Sequence, residues 1–171
     1  MIMPPRLRRF ALFVHVACSV ALLGAVAGFL ILSIAGFADN GGAIARAAYP
    51  AMALIVRFAV VPLTLAGIAT GLIQSLGTPW GLFRHYWVLA KLAIMILVAI
   101  VLLLQLASIG DLARSAAEGI LVEDAAVTSR LSPVIHAGGG LLILLIPVAL
   151  SLYKPRGLTR YGWRKRYGVG P

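Results

Sequence analysis

The residues of this chain that are able to do chemistry stand inside or beside long apolar runs. They comprise all three histidines and three other polar residues: His15, Arg57, His85, Lys91, Gln105 and His136. Because an ionisable group in hydrocarbon is costly unless it has a partner, each is a candidate functional residue. An imidazole suits a metal ion, and a buried cation suits an anionic ligand. Structural roles are the alternative: helix-to-helix hydrogen bonds for His15 and His136, an interfacial position for His85, and snorkelling to the headgroups for Lys91.

Counting along the chain sorts these residues by depth. At a rise of about 1.5 Å per residue, His15 and Lys91 each lie ~9 Å beyond the cations that precede their apolar runs. Both runs are expected to enter from one side, so the two side chains should lie at matching depth. Arg57 and His136 approach from the opposite side and form a second, outer pair. His15 and His136 differ in depth by roughly 15 Å, which excludes a shared iron.

Helical periodicity places polar residues on common faces. Lys91 and Gln105 are fourteen residues apart, close to four turns, and therefore share a face. A second stripe joins Arg57, Thr64, Gly71 and Ser75. These stripes predict a bundle interior that is able to hold a cofactor, a substrate or a proton path. We assign the candidates to two groups: cofactor-binding His15, Lys91 and Arg57, and a second polar cluster of His136, His85 and Gln105.

Four apolar runs must position these residues. They cover approximately residues 10–37, 50–76, 87–109 and 131–153. Each is long enough to cross a hydrocarbon core of about 30 Å, and none shows the two-residue alternation of a barrel strand. Hydrophobic residues make up 61% of the chain and charged residues 12%, against roughly 25% charged in soluble domains. The sequence therefore predicts an all-α, polytopic membrane four-helix bundle, formed by residues 1–171 as a single domain with a basic tail at 154–171.

The net charge of +10 lies mainly in the short segments between the apolar runs. Cations in such positions meet anionic headgroups, so we expect the lipid bilayer as partner and no nucleic acid. One side collects ten cations: Arg6, Arg8, Arg9, Arg84, Lys154, Arg156, Arg160, Arg164, Lys165 and Arg166. The other side has three cations and all five acids: Arg46, Arg114, Arg130, Asp39, Asp111, Glu118, Glu123 and Asp124. By the positive-inside rule the first side, with both chain ends, is cytoplasmic.

Small residues and prolines predict how the helices pack. Glycines at helical spacing, which let helix backbones approach closely, occur in three places: Gly24 with Gly28, Gly67 with Gly71, and the run Gly138, Gly139 and Gly140. Pro62 and Pro147 lie inside apolar runs. Each removes one backbone donor, so we expect a local deformation of the helix at both.

Several sequence stretches carry a family resemblance. They are His15-Val16, Arg57-Phe58, Thr70-Gly71, Gly77-Thr78-Pro79, WGLFRHYWVLAKL at 80–92, HAGGGLL at 136–142 and YKPRGLTRYG at 153–162. This pattern resembles an uncharacterised integral-membrane family within the CopD-like group of bacterial membrane proteins. It is distantly similar to copper-resistance membrane proteins and to HemJ-type protoporphyrinogen oxidases. The resemblance implies a multi-pass protein of the bacterial plasma membrane. It also implies that His15 and Lys91 match helix positions linked to haem b in the HemJ-type enzymes.

Three functions remain open on the sequence. The first is a non-enzymatic bundle or accessory subunit, working with other membrane subunits or as a homo-oligomer. The second is a haem-b-binding redox or tetrapyrrole-handling protein, with His15 as iron ligand and with Lys91 and Arg57 holding the anionic groups. The third is a small transporter or permease subunit. A phosphate-binding loop, a nucleophile elbow and a zinc-protease motif are all missing from the sequence, so enzymatic activity is undecided.

Overall fold

The chain folds into long helices joined by short loops. The computed structural model describes residues 3–39, 41–119, 126–155 and 157–168. Its elements are α1 (Pro5–Ala38), α2 (Ala43–Ile55), a π-helical segment (Val56–Val60), α3 (Val61–Gly77), α4 (Tyr86–Ala117), α5 (Ala126–Tyr153) and α6 (Arg160–Tyr167). Three residues used in the charge count, Arg156, Glu123 and Asp124, lie outside the described part. The predicted all-α bundle is confirmed.

Four helical rods are long and apolar enough to cross a membrane. They are α1, the continuous rod Ala43–Gly77, α4, and α5 from Val127 to Tyr153, and they have 34, 35, 32 and 27 residues. The chain is therefore a multi-pass membrane protein. Met3 donates its backbone N–H to the carbonyl of Gly77 over 3.0 Å, which places the start of α1 beside the end of α3. We call this end of the bundle, with residues 3–9, 78–85 and 157–168, the terminal end; the opposite end is the far end.

The buried core lies toward the far end. There α2 contributes Ala45, Ala48, Tyr49 and Met52, and α4 contributes Ile109, Leu112, Ala113 and Ala116. Gly36 of α1 packs against the ring of Tyr49, where an added Cβ would lie 3.0 Å from a ring carbon. By contrast, the most apolar window of α4 has no buried residues. The described buried residues of α2 and α4 thus concentrate at the far end.

The π-helical segment explains one wrong prediction. Pro62 has no N–H and its ring clashes with the carbonyl four residues earlier, so a regular α-turn cannot form there. The helix widens instead, and the N–H of Val61 bonds to the carbonyl of Val56, five residues back. A π-turn acts as one inserted residue, which shifts the later residues by about 100° around the axis. Thr64 is consequently buried while Arg57 is exposed, so the predicted stripe through both is interrupted.

The glycine pairs do not make the predicted close helix contacts. A Cβ added to Gly24, Gly28 or Gly67 would have no neighbour within 4 Å. The same holds for Gly139 and Gly140. Gly24 is exposed, whereas Gly67 is buried and lines a cavity described below. Close approach occurs instead at Gly71, beside an imidazole described below, and at Gly36.

The basic tail is docked onto the loop between α3 and α4. Thr159 donates its backbone N–H to the carbonyl of Arg84 over 3.0 Å, and Tyr86 donates to Gly157 over 3.3 Å. The Thr159 hydroxyl caps α6 by accepting from the N–H of Gly162. Gly162 itself lies against the backbone of Arg84 so closely that a Cβ would overlap the carbonyl oxygen. Residues 157–163 are therefore a structural part of the terminal end.

Candidate functional site

A cavity of about 530 Å³ opens between α1, α3, α4 and α5 at the terminal end. His15 and Lys91 both line it, so the structure brings together the two residues that depth counting had paired. Such a volume falls within the range of about 300–1,000 Å³ that is usual for small-molecule sites. We call it the terminal cavity. Its apolar walls include Leu12, Ile68, Leu92 and Met95.

The imidazole of His15 is held in one orientation by a threonine on α3. Its Nδ1 lies 2.9 Å from the hydroxyl oxygen of Thr70. The single proton of that hydroxyl is already donated to the backbone carbonyl of Ala66, over 2.6 Å. With its proton on Ala66, Thr70 accepts, so we assign the ring proton of His15 to Nδ1 as the donor. This assignment, inferred from the hydrogen-bond network, leaves Nε2 as the nitrogen with a free lone pair.

Glycine at position 71 gives the imidazole its space. A Cβ on Gly71 would lie 3.3 Å from Cε1 of His15 and 3.8 Å from Nδ1. The first distance is tighter than an ordinary van der Waals contact, so any larger residue would press on the ring. Thr70 thus hydrogen-bonds the His15 ring, and the adjacent Gly71 leaves room for it.

Cations and indole rings line the opposite wall. Lys91 donates from Nζ to the hydroxyl of Ser151 over 2.7 Å, and the Ser151 hydroxyl donates a hydrogen bond to a backbone carbonyl of α5. The same Nζ lies 5.3 Å from the ring centroid of Trp87. Lys154 lies 5.6 Å from the centroid of Trp80. Both distances are within the range for cation–π attraction.

The charge of the terminal cavity has one sign. Besides Lys91 and Lys154, its lining includes Arg8 and Arg9. Among the described residues that line it, none is Asp or Glu. A site with several cations and no carboxylate attracts anions, especially where low-dielectric walls focus the field. The arrangement therefore suits an amphipathic ligand with an apolar body and one or more anionic groups.

The second candidate cluster is divided between the two ends. Gln105 donates from Nε2 to the hydroxyl of Ser132 over 3.4 Å, and Nδ1 of His136 donates to the carbonyl of Ser132 over 2.8 Å. Both residues line a separate, mostly apolar cavity of about 300 Å³ nearer the far end. His85 lies apart at the terminal end, where its Nδ1 donates to the carbonyl of Trp80 over 2.7 Å.

Arg57 lies in neither cavity. It is exposed on the π-helical segment, and it is absent from the lining of both cavities. Thirteen residues separate it from Thr70, which corresponds to about 20 Å along the helix. The structure therefore places Arg57 apart from His15 and Lys91, with which the sequence had grouped it.

Two hydroxyl residues of the site were not among the sequence candidates. Thr70 and Ser151 each accept a hydrogen bond from a candidate residue, His15 and Lys91 respectively. The sequence could have indicated Thr70, because depth counting places it about 10 Å along the helix from Gly77, at the terminal end, and therefore at the depth of His15. Ser151 offered no comparable signal, since its role depends on α5 being the neighbour of α4.

Comparisons with protein-family models, curated proteins and solved structures give no match to this chain. The resemblance to the CopD-like group therefore stays an expectation, and the function must be argued from the site itself.

Proposed function

We propose that this chain is a membrane-embedded cofactor-binding protein, that its terminal cavity holds haem b, and that His15 is the iron ligand. The observation that carries the proposal is the hydrogen bond from Nδ1 of His15 to Thr70. Metal-ligating histidines nearly always donate their other ring N–H to a fixed acceptor, which sets the tautomer and raises the basicity of the ligating nitrogen. The bond of Thr70 to Ala66 makes it such an acceptor.

The residues present fit this group. A single histidine is sufficient protein ligation for a haem iron, as in globins and peroxidases. The apolar and indole walls of the cavity suit a flat macrocycle, and 530 Å³ is a volume for a ligand of that class. Bound haem would supply a one-electron redox centre whose potential depends on its axial ligand and surroundings.

The propionates would meet the cations of the cavity. Lys91 and Lys154 are positioned over indole rings on the wall of the cavity, and both are free to donate to a carboxylate. Buried or half-buried cations need such partners. Arg57 lies about 20 Å from Thr70 along the helix, so it takes no part in the proposed binding, contrary to the grouping predicted from the sequence.

The proposal is compatible with the chain being a non-enzymatic accessory subunit. A bundle that holds one cofactor near a membrane surface is able to pass electrons to or from another subunit. The excess of cations at the terminal end supports a cytoplasmic position for the cavity, and the resemblance supports the bacterial plasma membrane.

Absorption spectra of matched variants test the proposal. The full chain and the variants His15→Ala and His136→Ala are expressed with haem supplied, purified in mild detergent, and measured oxidised and then reduced with dithionite. We expect a Soret band that shifts on reduction in the wild type and in His136→Ala, because His136 lies in the other cavity. His15→Ala should lose the band. A colourless wild type, or equal bands in all three proteins, would contradict the proposal.

A further inference from the structure

The backbone of Arg57 lies at hydrocarbon depth, and its side chain is exposed. On α1, six residues separate Arg9 from His15, which contacts Thr70 on α3. A further 24 residues separate Thr70 from Arg46, so the distance from Arg9 to Arg46 along the helices is about 45 Å. This equals the thickness of a bilayer with its headgroups, about 40–45 Å around a core of ~30 Å. Arg57 lies eleven residues, or about 16 Å, inside Arg46. The backbone at Arg57 is therefore roughly 9 Å inside the hydrocarbon boundary.

No described residue hydrogen-bonds or ion-pairs with the guanidinium of Arg57. Its surroundings are apolar: the side chains of Leu54 and Phe58 beside it are 59% and 71% exposed. Arg57 faces away from the buried side of its helix, which Val56 and Val60 occupy. An arginine keeps its charge at any depth. A lipid-facing cation at this depth is costly unless it reaches the headgroups or has a partner from outside the bundle.

The described residues of a second copy provide no carboxylate at that depth. All five acids lie outside the apolar runs. The described acid on a spanning helix, Asp111, is twenty residues from Lys91, whereas Arg57 is thirteen residues from Thr70. Since Lys91 and Thr70 flank the same cavity, Asp111 lies about 10 Å nearer the far end than Arg57. Copies inserted in the same orientation keep this offset.

We propose that Arg57, with Leu54 and Phe58 around it, is the docking site for a membrane-spanning segment of a different protein. That segment has an Asp or Glu in the half of the bilayer near the far end. The ion pair fixes the depth and rotation of the partner helix, and the two apolar side chains pack against it. Charge complementarity argues for this occupant, because the chain presents a cation at this depth and its described residues include no matching carboxylate. The docking site is independent of the haem proposal, since Arg57 is remote from the terminal cavity.

Site-specific photo-cross-linking in the native membrane tests the proposal. The full chain is expressed at native level with Phe58→p-benzoylphenylalanine, illuminated, and the cross-linked peptide is identified by mass spectrometry. The matched control is Leu104→p-benzoylphenylalanine, since Leu104 on α4 is 73% exposed and lies at nearly the same depth. We expect the adduct at position 58 to be a membrane segment of another protein that contains Asp or Glu, with at least a tenfold lower yield from the control.

Arginine variants then separate the ion pair from general apolar contact. Arg57→Leu should lower the cross-link yield at position 58 at least tenfold, while Arg46→Leu, the same change near the headgroups on the same helix, should leave it unchanged. Arg57→Glu combined with a lysine at the partner's carboxylate should restore it. The proposal is overturned by adducts to lipid alone, by adducts only to a second copy, by no adduct, by a partner segment without an acid, or by a yield that Arg57→Leu leaves unchanged.

Discussion

Replacing Thr70 with valine isolates the contribution of one hydroxyl to the terminal cavity. Valine has nearly the shape of threonine, so the apolar contacts are kept while the acceptor for Nδ1 of His15 is lost. The bond being removed is 2.9 Å long and partly buried. Leaving such a donor unsatisfied costs about 1–3 kcal/mol. Losing the orienting partner of a metal-binding histidine typically lowers metal affinity about 10–100-fold, which is about 1.4–2.8 kcal/mol.

Haem titration of the cofactor-free protein measures this effect. Thr70→Val and the control Thr70→Ser, which keeps the hydroxyl, are titrated in detergent while the Soret band is followed. We expect the Kd to rise about 10–100-fold in Thr70→Val and to change by less than about threefold in Thr70→Ser, because its hydroxyl still accepts. If Thr70→Val binds haem with the affinity of the wild type, the argument from the His15 tautomer is refuted.

Three further predictions follow from individual contacts. Lys91→Met should weaken binding of an anionic ligand about tenfold without unfolding the bundle, measured by the same titration, because it removes one cation from the cavity wall; unchanged affinity would contradict this. Tyr49→Phe should raise the Tm in detergent, because the buried Tyr49 hydroxyl has no hydrogen-bond partner among the described residues and removing it relieves a cost of about 1–3 kcal/mol; a lower Tm would show that the hydroxyl is satisfied. Gly162→Ala should release the basic tail, because its Cβ would overlap the Arg84 carbonyl. Limited proteolysis should then cut between α5 and α6 several times faster than in the control Arg164→Ala, and equal rates would show that the tail stays docked.

The four spans could be predicted because length and hydropathy alone decide whether a helix is able to cross a bilayer. Their ends could not be predicted in the same way. The second rod begins at Ala43 rather than near Pro50, and α4 continues to Ala117 rather than ending near Ile109. A helix can continue into the headgroup region with polar residues, as α4 does through Asp111, so the end of the apolar run does not mark the end of the helix.

Helical phase was a reliable guide only where the helix is regular. Lys91 and Gln105, predicted to share a face of α4, both bond to serines of α5, Ser151 and Ser132. No proline interrupts α4, so its phase is conserved over those four turns. Between Arg57 and Thr64, by contrast, the π-helical segment before Pro62 shifts the phase, and the two residues face opposite environments.

The geometry of the site could not be predicted without knowing which helices are neighbours in the bundle. Depth counting placed His15 and Lys91 at one level, and the structure shows both on one cavity. Periodicity along a single helix contains no information about the order of helices in the bundle. The contact of His15 with Thr70 on α3, and that of Lys91 with Ser151 on α5, could therefore be described only from the folded chain.

The haem content of the native protein tests the central claim most directly. The full chain is purified in mild detergent from its own membranes, without added haem, and haem and protein are quantified in the same sample. The account predicts about one haem per chain in the wild type and less than a tenth of that in His15→Ala. A preparation from native membranes that contains no haem, or that contains equal haem in His15→Ala, would contradict it.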